Sequence, residues 1–420
     1  MPAGPASETL ATLDALRPYP GDSTRADGPV AVDATDRLLL DAARAAIEAA
    51  GPGEVVTIGD RFGALTIGAI GLGARDVRVH QDPVDAEAAL RANALVTHRS
   101  SFGHQPLGPE LLAGARVVLL QLPKSVAELS EIAELVARHA TDDAVLFAGG
   151  RVKHMTHAMN EVLATAFAEV TPSLARQKSR LLVARGLRPE ARERPLTYPL
   201  RETIGGVPGL DASLTVVAHG GVFGGTNLDG GTRLLLEHSG RWPSPGGVVP
   251  FGAAGIHDAG IHDDAAVPGA HPASSPVPTA VDLGCGSGIL AVALARRGFE
   301  VVATDRSAAA VGSAAATAAA NGVGHLVRAV RDDAGASLPD ASAALVLLNP
   351  PFHDRAALAT DAAHRMFETA GRILRPGGEL WTVFNSALRY RPALERAVGP
   401  TAQIARDPRF TVTRSVRTNG

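Results

Sequence analysis

The chain has 420 residues, of which 45% are apolar and 20% charged. This composition excludes disordered, collagen-like and coiled-coil proteins, and the length favours two domains. The single cysteine, Cys285, excludes a disulfide framework and a cysteine-rich zinc module, and it fits a reducing cytosol. The sequence has no apolar run near the roughly 20 residues of a membrane span, and its N-terminus lacks the basic-then-apolar order of a secretory signal. We therefore expect a cytoplasmic protein that does not engage a membrane.

The first half of the chain alternates helix and strand patterns in the manner of a doubly wound α/β sheet. Residues 1–34 are expected to form a loose extension before it. A turn over residues 59–63 follows the first strand. The predicted helices cover residues 36–50 and 86–94, and the predicted strands cover residues 54–58, 77–80, 117–122, 144–147 and 179–184.

The second half shows the same alternation more clearly. The predicted strands cover residues 279–282, 301–304, 326–330, 344–348 and 380–384. The predicted helices cover residues 289–297, 307–320 and 356–374, and the last is ended by Arg-Pro-Gly-Gly.

The spacing of polar residues at the strand ends is similar in the two halves. Thr57 precedes Asp82 by 25 residues, and Asp282 precedes Asp305 by 23. This agreement predicts an internal duplication of one fold. The predicted domains are residues 35–195 and 196–420.

A low-complexity insertion over residues 239–278 interrupts the second domain. By residue type alone it contains possible metal ligands, namely His257, Asp258, His262, Asp263 and His271. Because the insertion offers no rigid element to fix ligand geometry, a surface loop without a metal is the prediction.

The strongest local pattern is Val-Asp-Leu-Gly-Cys-Gly-Ser-Gly at residues 281–288. Its three glycines follow a strand and open a helix, so a ligand can lie against a turn without β-carbons and an anionic group can meet the helix N-terminus. Asp282 ends the strand, where it would bind a ligand amine or orient the turn. Asp305 ends the next strand, where a carboxylate can accept both hydroxyls of a ribose.

The glycine spacing discriminates between cofactors. A nicotinamide-binding turn requires Gly-x-Gly-x-x-Gly or Ala, whereas Ile289 occupies the last position of that pattern here. The observed Asp-x-Gly-x-Gly-x-Gly resembles the turn of S-adenosylmethionine (SAM) methyltransferases. That interpretation places the glycines at the amino-acid end of SAM, Asp305 at the ribose, and Asp333 or its neighbour Asp332 at the adenine amine. A tight turn without a ligand is the alternative.

The second pattern is Asn-Pro-Pro-Phe at residues 349–352, directly after a strand, where open α/β sheets bind ligands. An exocyclic amine on a base, or a carboxamide nitrogen, is a poor nucleophile because its lone pair is delocalised. The Asn349 side-chain oxygen and the Pro350 carbonyl can each accept one of its N–H bonds, which favours a pyramidal nitrogen with a free lone pair. Phe352 offers a face on which a flipped base can stack. Methyl transfer to such a nitrogen needs alignment and electrostatics, and no metal.

Two neighbouring features bear on the substrate. Methylation of a pyrimidine at carbon 5 is disfavoured, because it requires a thiolate in the fourth-strand loop and Cys285 lies in the glycine turn. His353 and Asp354 follow the Asn-Pro-Pro-Phe run. They are interpreted equally well as residues that bind a base or a phosphate and as helix caps.

Basic residues concentrate in two stretches although the net charge is −3. Residues 172–201 carry eight basic and two acidic groups, and residues 387–420 carry seven arginines and two acidic groups. Such stretches can follow a phosphate backbone, or they can be ordinary solvated surface in an arginine-rich chain. Charge alone leaves RNA binding open.

The order of the motifs resembles that of the bacterial ribosomal RNA guanine-N2 methyltransferases. The motifs are Gly-Val-Phe at 221–223, Leu-Asp-x-Gly-Thr at 228–232, the glycine turn, Asn-Pro-Pro-Phe-His at 349–353 and Arg-Pro-Gly-Gly-x-Leu-Trp at 375–381. The resemblance extends from about residue 35 to the end. It implies two tandem Rossmann-like class I methyltransferase domains, each with a doubly wound, mostly parallel seven-stranded sheet, of which the first is degenerate and the second is active.

The resemblance also implies roles for individual residues. The implied catalytic residues at the target amine are Asn349, Pro350 and Phe352. The implied SAM site comprises Asp282, Gly284, Cys285, Gly286, Gly288, Asp305, Arg306, Asp332, Asp333 and Asn349. The implied substrate site comprises Phe352, His353, Phe223, Asp229 and Thr232, and the run 221–236 is expected to form a lid over the cofactor.

The first copy lacks the residues that this chemistry needs. Its turn, residues 57–63, has Thr57 where the second copy has Asp282, and Arg61 in place of the central glycine. Gln121-Leu-Pro-Lys stands in place of Asn-Pro-Pro-Phe. We therefore expect no cofactor there, and a role in holding RNA or bracing the catalytic domain.

The predicted function is SAM-dependent methylation of an exocyclic amine in RNA, with guanine N2 of ribosomal RNA preferred and ribosomal RNA or a ribosomal subunit particle as the partner. Adenine-N6 and protein-glutamine methylation use the same Asn-Pro-Pro-aromatic run and remain alternatives. A non-catalytic RNA-binding or ribosome-assembly factor is the alternative from another class.

Overall fold

The structure is a computed structural model that describes residues 12–18, 30–245, 279–351 and 356–418, with backbone alone for residues 356–359. The chain divides into two units. The first unit comprises residues 1–200, 218–225 and 306–310, and the second comprises residues 201–217, 226–305 and 311–420. Most of the low-complexity insertion, residues 246–278, lies outside the described part, and so do all five possible metal ligands in it.

The first unit is built on a seven-stranded sheet of order β3-β2-β1-β4-β5-β7-β6. The first five strands in this order, β3-β2-β1-β4-β5, are parallel to one another, and β7 runs antiparallel to both β5 and β6. The strands are β1 (Val55–Ile58), β2 (Val77–His80), β3 (Phe102–His104), β4 (Val117–Gln121), β5 (Val145–Arg151), β6 (Phe167–Pro172) and β7 (Ser179–Leu187).

Helices cover both faces of this sheet, which explains why its central strands are apolar along their whole length. The helices are α1 (Ala34–Ala49), α2 (Ala64–Gly71), α3 (Val84–Thr97), α4 (Pro109–Leu112), α5 (Val126–His139), α6 (His157–Ala166) and α7 (Pro189–Glu193). The expectation of a loose N-terminal extension is wrong for residues 12–18. Leu13 and Leu16 are buried in the core, and the Arg17 N–H donates to Asn93 Oδ1 at 2.9 Å.

The second unit repeats this architecture with the sheet order β12-β11-β10-β13-β14-β16-β15. A separate two-stranded sheet is formed by β8 (Leu200–Ile204) and β9 (Leu214–Ala218). The strands of the large sheet are β10 (Thr279–Leu283), β11 (Glu300–Asp305), β12 (Val327–Arg331), β13 (Ala343–Leu348), β14 (Leu374–Asn385), β15 (Thr401–Arg406) and β16 (Phe410–Val416). The predicted α/β fold with two tandem, mostly parallel seven-stranded sheets is confirmed.

The helices of the second unit are α8 (Gly230–Glu237), α9 (Ile289–Arg296), α10 (Ala308–Ala320), α11 (Ala356–Ile373) and α12 (Arg391–Ala397). Helices α8 and α9 pack on one face of the sheet around Trp381, and α11 and α12 pack on the other around Phe367. Within the described residues, no helix is both long enough and apolar enough to cross a membrane.

Strand β14 differs from its prediction because it begins before Arg-Pro-Gly-Gly rather than after it. Gly377 adopts φ +76°, and the backbone continues to pair through Gly377 N–H to Arg417 O and Arg417 N–H to Gly378 O, both at 2.9 Å. The run that favours a helix end is thus accommodated as an irregularity within the strand.

Strand pairing corrects one equivalence between the two halves. Thr57 pairs with Val79, and Asp282 pairs with Ala303. Val79 therefore corresponds to Ala303, and two residues further on Gln81, rather than Asp82, corresponds to Asp305. The separations are thus 24 residues in the first unit and 23 in the second, and the prediction was off by one because it matched Asp305 to the nearest acidic residue.

Candidate functional site

The candidate site lies at the carboxyl ends of the central strands of the second unit. Pairing places Leu283 opposite both Thr304 and Leu348. Consequently Gly284, Asp305 and Asn349 leave three neighbouring strands at the same level. The strand order reverses between β10 and β13, which is where open α/β sheets form their ligand crevice.

The three glycines of the turn have different physical roles. All have positive φ, with values of +82° at Gly284, +50° at Gly286 and +82° at Gly288. A β-carbon at Gly288 would lie 2.7 Å from Ala314 Cα, and one at Gly284 would lie 2.9 Å from Met366 Cε. A β-carbon at Gly286 would meet no atom within 4 Å. Gly284 and Gly288 thus allow close packing, whereas Gly286 faces open space that a ligand can occupy.

Asp282 orients the connection between the glycine turn and helix α9. Its side chain is buried, and Oδ2 accepts the Ala291 N–H at 2.9 Å in the first turn of α9. Burial raises the pKa of Asp282 to about 7, the Ala291 hydrogen bond opposes this rise, and the charge of Asp305 adds to it. Of the two roles expected for Asp282, the structure supports the orientation of the loop.

Asp305 and Cys285 complete the turn. Asp305 Oδ2 accepts the Gly286 N–H at 3.1 Å, so the carboxylate holds the middle of the turn in place. Cys285 is buried, and burial followed by the charges of Asp282 and Asp305 raises the pKa of its thiol well above the ordinary value. Such a thiol is a poor nucleophile.

Two acidic residues follow β12, and each has one oxygen engaged. Asp332 Oδ2 accepts from the Ser337 N–H and hydroxyl at 2.9 and 2.8 Å. Asp333 Oδ2 forms an ion pair with Arg365 at 2.5 Å. Neither Ser337 nor Arg365 lies in a recognisable sequence motif, so neither was predicted.

Asn349 is held by the N-terminus of α8. Its Nδ2 donates to Thr232 Oγ1 at 3.0 Å and lies 3.3 and 3.5 Å from the two carboxylate oxygens of Asp229. Its Oδ1 is buried and has no hydrogen-bond partner among the described residues. The site therefore contains an oriented, unused hydrogen-bond acceptor at the end of β13.

Helix α8 is part of the core and not the expected lid. Leu235 and Leu236 are fully buried in the core of the second unit. A β-carbon at Gly230 would lie 3.0 Å from Phe410 Cε2, so the paired glycines let the helix start approach the ring on β16. The pattern Asp-Gly-Gly-Thr indicates a helix start, but nothing near it in the sequence indicates Phe410.

The remaining predicted residues lie elsewhere or outside the described part. Phe223 belongs to the first unit and is 71% exposed. Arg306 also belongs to the first unit, where it pairs with Asp85 at 2.9 Å. Pro350 is buried next to Asn349. Phe352, His353 and Asp354 lie outside the described residues.

In the equivalent region of the first unit, the side chains at the matching positions bond to other groups of the protein. Arg61, which stands at the position of Gly286, pairs with Asp33 at 3.1 Å. Thr57 Oγ1 hydrogen-bonds Thr66 Oγ1 at 2.8 Å. Gln121, at the position of Asn349, donates to Asp36, and burial raises the pKa of Asp36 to about 7.

Comparisons with known proteins identify relatives along nearly the whole chain. The family model named Methyltransferase small domain matches residues 273–414, and the RLMG N-terminal domain matches residues 9–188. Ribosomal RNA large subunit methyltransferase G of Streptomyces coelicolor is 34% identical over 397 residues, covering 92% of this chain and 93% of the relative. The protein of the same name from Pseudomonas entomophila is 31% identical over 412 residues, covering 96% and 97%.

One solved structure shares the fold over both units. It is the T. thermophilus 16S ribosomal RNA N2 guanine methyltransferase in complex with AdoMet and guanosine. The TM-score is 0.67 at 22% identity, and 92% of each chain is covered.

Proposed function

The chain belongs to the family of ribosomal RNA large subunit methyltransferases G, and from this premise we propose that it methylates the exocyclic N2 amine of a guanine in large-subunit ribosomal RNA. The family resemblance read from the motifs is confirmed, and so is the prediction of a SAM-dependent methyltransferase. The individual site residues and the base are the proposal.

The glycine turn fits the cofactor. Gly286 faces open space, and Asp305 holds its N–H in place. A side chain at position 286 would occupy that space. We propose that Gly284, Gly286 and Asp305 hold SAM, with Asp332 or Asp333 at its adenine. When bound, SAM supplies an activated methyl group on a sulfonium. Cys285 and Gly288 support the turn through burial and packing.

The single observation that carries the proposed chemistry is the unused Asn349 Oδ1. With Nδ2 committed to Thr232 and Asp229, Oδ1 can accept an N–H of an incoming amine. Together with the Pro350 carbonyl, it would hold the guanine N2 so that its lone pair is free to attack. The residues supply orientation and preorganised acceptors, for which no metal is required.

Asn349→Ala tests this proposal. Labelled SAM is incubated with large-subunit RNA, as naked RNA and as particles, from a strain that lacks the enzyme, and the product nucleosides are separated. We expect N2-methylguanosine from the unmodified enzyme and a loss of about 100- to 1,000-fold with Asn349→Ala. SAM affinity, measured by titration calorimetry, should change little.

Other products would identify the alternatives. N6-methyladenosine as the product would contradict guanine as the target base but not the role of Asn349 in binding the target amine. Label found only in protein would indicate glutamine methylation. No label in any substrate, with SAM binding intact, would favour an assembly factor. Because ribosomal RNA is the substrate, we place the reaction in the cytoplasm.

We also propose that the first unit binds the RNA phosphate backbone through a basic surface formed by the tip of its β6–β7 hairpin and the turn that follows β5. Lys153 and Lys178 are exposed, and the two segments are joined by the Val152 N–H bond to Lys178 O at 2.9 Å. Neighbouring Arg151 and Arg176 pair only distantly with acids, at 4.0 and 3.8 Å. Exposed cationic side chains on such a surface suit phosphates of any sequence.

The double change Lys153→Glu with Lys178→Glu should weaken RNA binding and lower the salt-dependence slope by about 2. Lys124→Glu is the matched control, since it reverses the only other lysine of the chain, outside this hairpin. An unchanged slope in the double variant would contradict the proposal.

A further inference from the structure

We infer that Asp229 and Thr232 are positioning residues that determine which end of the Asn349 amide meets the substrate amine. The inference rests on the proposed role of Asn349. An amide side chain has an acceptor end and a donor end of nearly the same shape, and only the acceptor end can receive an amine N–H. Rotation by 180° would set two donors against each other.

The chemistry of the two partners fixes the orientation. Thr232 Oγ1 accepts from Asn349 Nδ2 at 3.0 Å, and the Asp229 carboxylate lies 3.3 and 3.5 Å from the same nitrogen. An ionised carboxylate has only acceptors, so the reversed amide would place Oδ1 against negative charge. The two residues therefore favour the rotamer in which Oδ1 is left for the substrate.

Helix α8 fixes the partners in turn. Asp229 is its N-cap, and Oδ1 accepts the N–H groups of Gly231 and Thr232 at 2.9 and 3.1 Å. Because the helix is anchored in the core through Leu235 and Leu236, its N-terminus cannot follow Asn349 if the amide turns.

The first unit contains the same arrangement in altered form. Asp33 is the N-cap of α1, and Asp36 occupies the third helical position, as Thr232 does in α8. Gln121, at the place of Asn349, donates its Nε2 to Asp36. Both units thus share one feature: the start of a helix binds the donor end of an amide side chain at the carboxyl end of β4 in the first unit and of β13 in the second.

Thr232→Val and Thr232→Ser form a matched pair. Valine keeps the shape of threonine and removes the acceptor, whereas serine keeps the acceptor. In single-turnover assays at saturating SAM and RNA, we expect Thr232→Val to slow methyl transfer about tenfold, with the KM for RNA and the affinity for SAM within twofold. Thr232→Ser should restore the rate to within threefold. Asp229→Asn, which retains an N-cap residue, should slow transfer by about threefold to tenfold.

A double-mutant cycle separates positioning from a purely structural role. If Thr232 acts through Asn349, Thr232→Val should have no further effect on the residual rate of Asn349→Ala. Additive losses, or a full rate in Thr232→Val, would overturn the inference, and so would an equal loss in the serine variant. Failure of the proposed function is recognised separately, because Asn349→Ala alone would then retain activity.

Discussion

The glycine turns of the two units share the positive φ of their outer glycines and differ at the central position. In the first unit Gly59 and Gly63 have φ values of +75° and +92°, close to the +82° of Gly284 and Gly288 in the second. Between them, the first unit has Arg61 and the second has Gly286. The outer glycines have positive φ in both units, whereas the central residue has positive φ only in the second unit, where Gly286 also faces open space.

The side chains around the two turns also differ in what they bond to. In the second unit, Asp282 and Asp305 bond to the turn and the helix start, and the Asn349 acceptor is left unused. In the first unit, Arg61 and Gln121 engage acids on α1. The first unit thus keeps the architecture, whereas its polar side chains at these positions bond to other groups of the protein.

The largest effect should come from importing the first unit's residue into the second. We expect Gly286→Arg to abolish SAM binding, because its side chain would enter the open space beside the turn. Titration calorimetry measures the loss. Gly286→Ala is the control, since it carries the same backbone strain at φ +50° with little bulk. Normal binding by Gly286→Arg would show that the space is not the cofactor site.

The outer glycines should matter for stability in both units, but unequally. Gly288→Ala should lower the free energy of unfolding by about 3 kcal/mol, because the new β-carbon meets the Ala314 backbone at 2.7 Å and φ is positive. Gly63→Ala should cost about 1–2 kcal/mol, since the group met at 2.7 Å is the movable end of Leu90. Hydrogen exchange of each unit's central strands measures both. Equal costs would contradict this reasoning.

A smaller effect should appear in the pH dependence of the second unit. The pKa of Asp282 is about 7 in the folded unit against 3.8 as the reference, so the folded unit binds more protons between these values. Its free energy of unfolding should therefore fall as pH rises from about 4 to about 7, on the order of 1 kcal/mol per pH unit.

Asp282→Asn keeps an acceptor for the Ala291 N–H and should remove this slope. Urea unfolding at pH 5 and pH 8 measures it, followed by tryptophan fluorescence, because both tryptophans, Trp242 and Trp381, belong to the second unit. A variant with an unchanged difference between the two pH values would exclude Asp282 as the source.

The smallest effect should come from opening the first unit's turn. Arg61→Gly removes an ion pair whose arginine is largely exposed and whose buried partner, Asp33, keeps its bonds to the start of α1, so the stability should change by less than about 1 kcal/mol. We expect no gain of SAM binding, because Thr57 and Gln81 still stand where the second unit has acids. A calorimetric stoichiometry of two SAM per chain, in this variant or in the unmodified protein, would contradict the degenerate state of the first unit.

Local patterns in the sequence were sufficient to predict the central strands and the motifs at their ends. Strands β1, β10 and β13 are mainly apolar runs bounded by turn residues, and β2 alternates apolar and polar residues, so all four were predicted to within a residue or two. Helix α5 was missed although its apolar face is well defined, and so were the antiparallel strands β6, β15 and β16, which lie at or next to the sheet edge.

The contacts within the site could not be predicted, because they join distant parts of the chain. Asn349 and Asp229 are 120 residues apart, and Asp333 and Arg365 are 32 apart. A motif identifies Asn349 as chemically competent, but the direction of its amide depends on a helix start that belongs to another motif. The search for an acidic residue also misplaced the first unit's equivalent of Asp305 by one, since only strand pairing shows that Gln81 stands there.

The double use of Asp229 has a consequence for the behaviour of the enzyme on warming. The same carboxylate that caps α8 also steadies the reactive amide, so fraying of one helical turn would release both. Catalysis should then decline at temperatures where the sheet is still intact, and cooling should restore it without refolding of the chain.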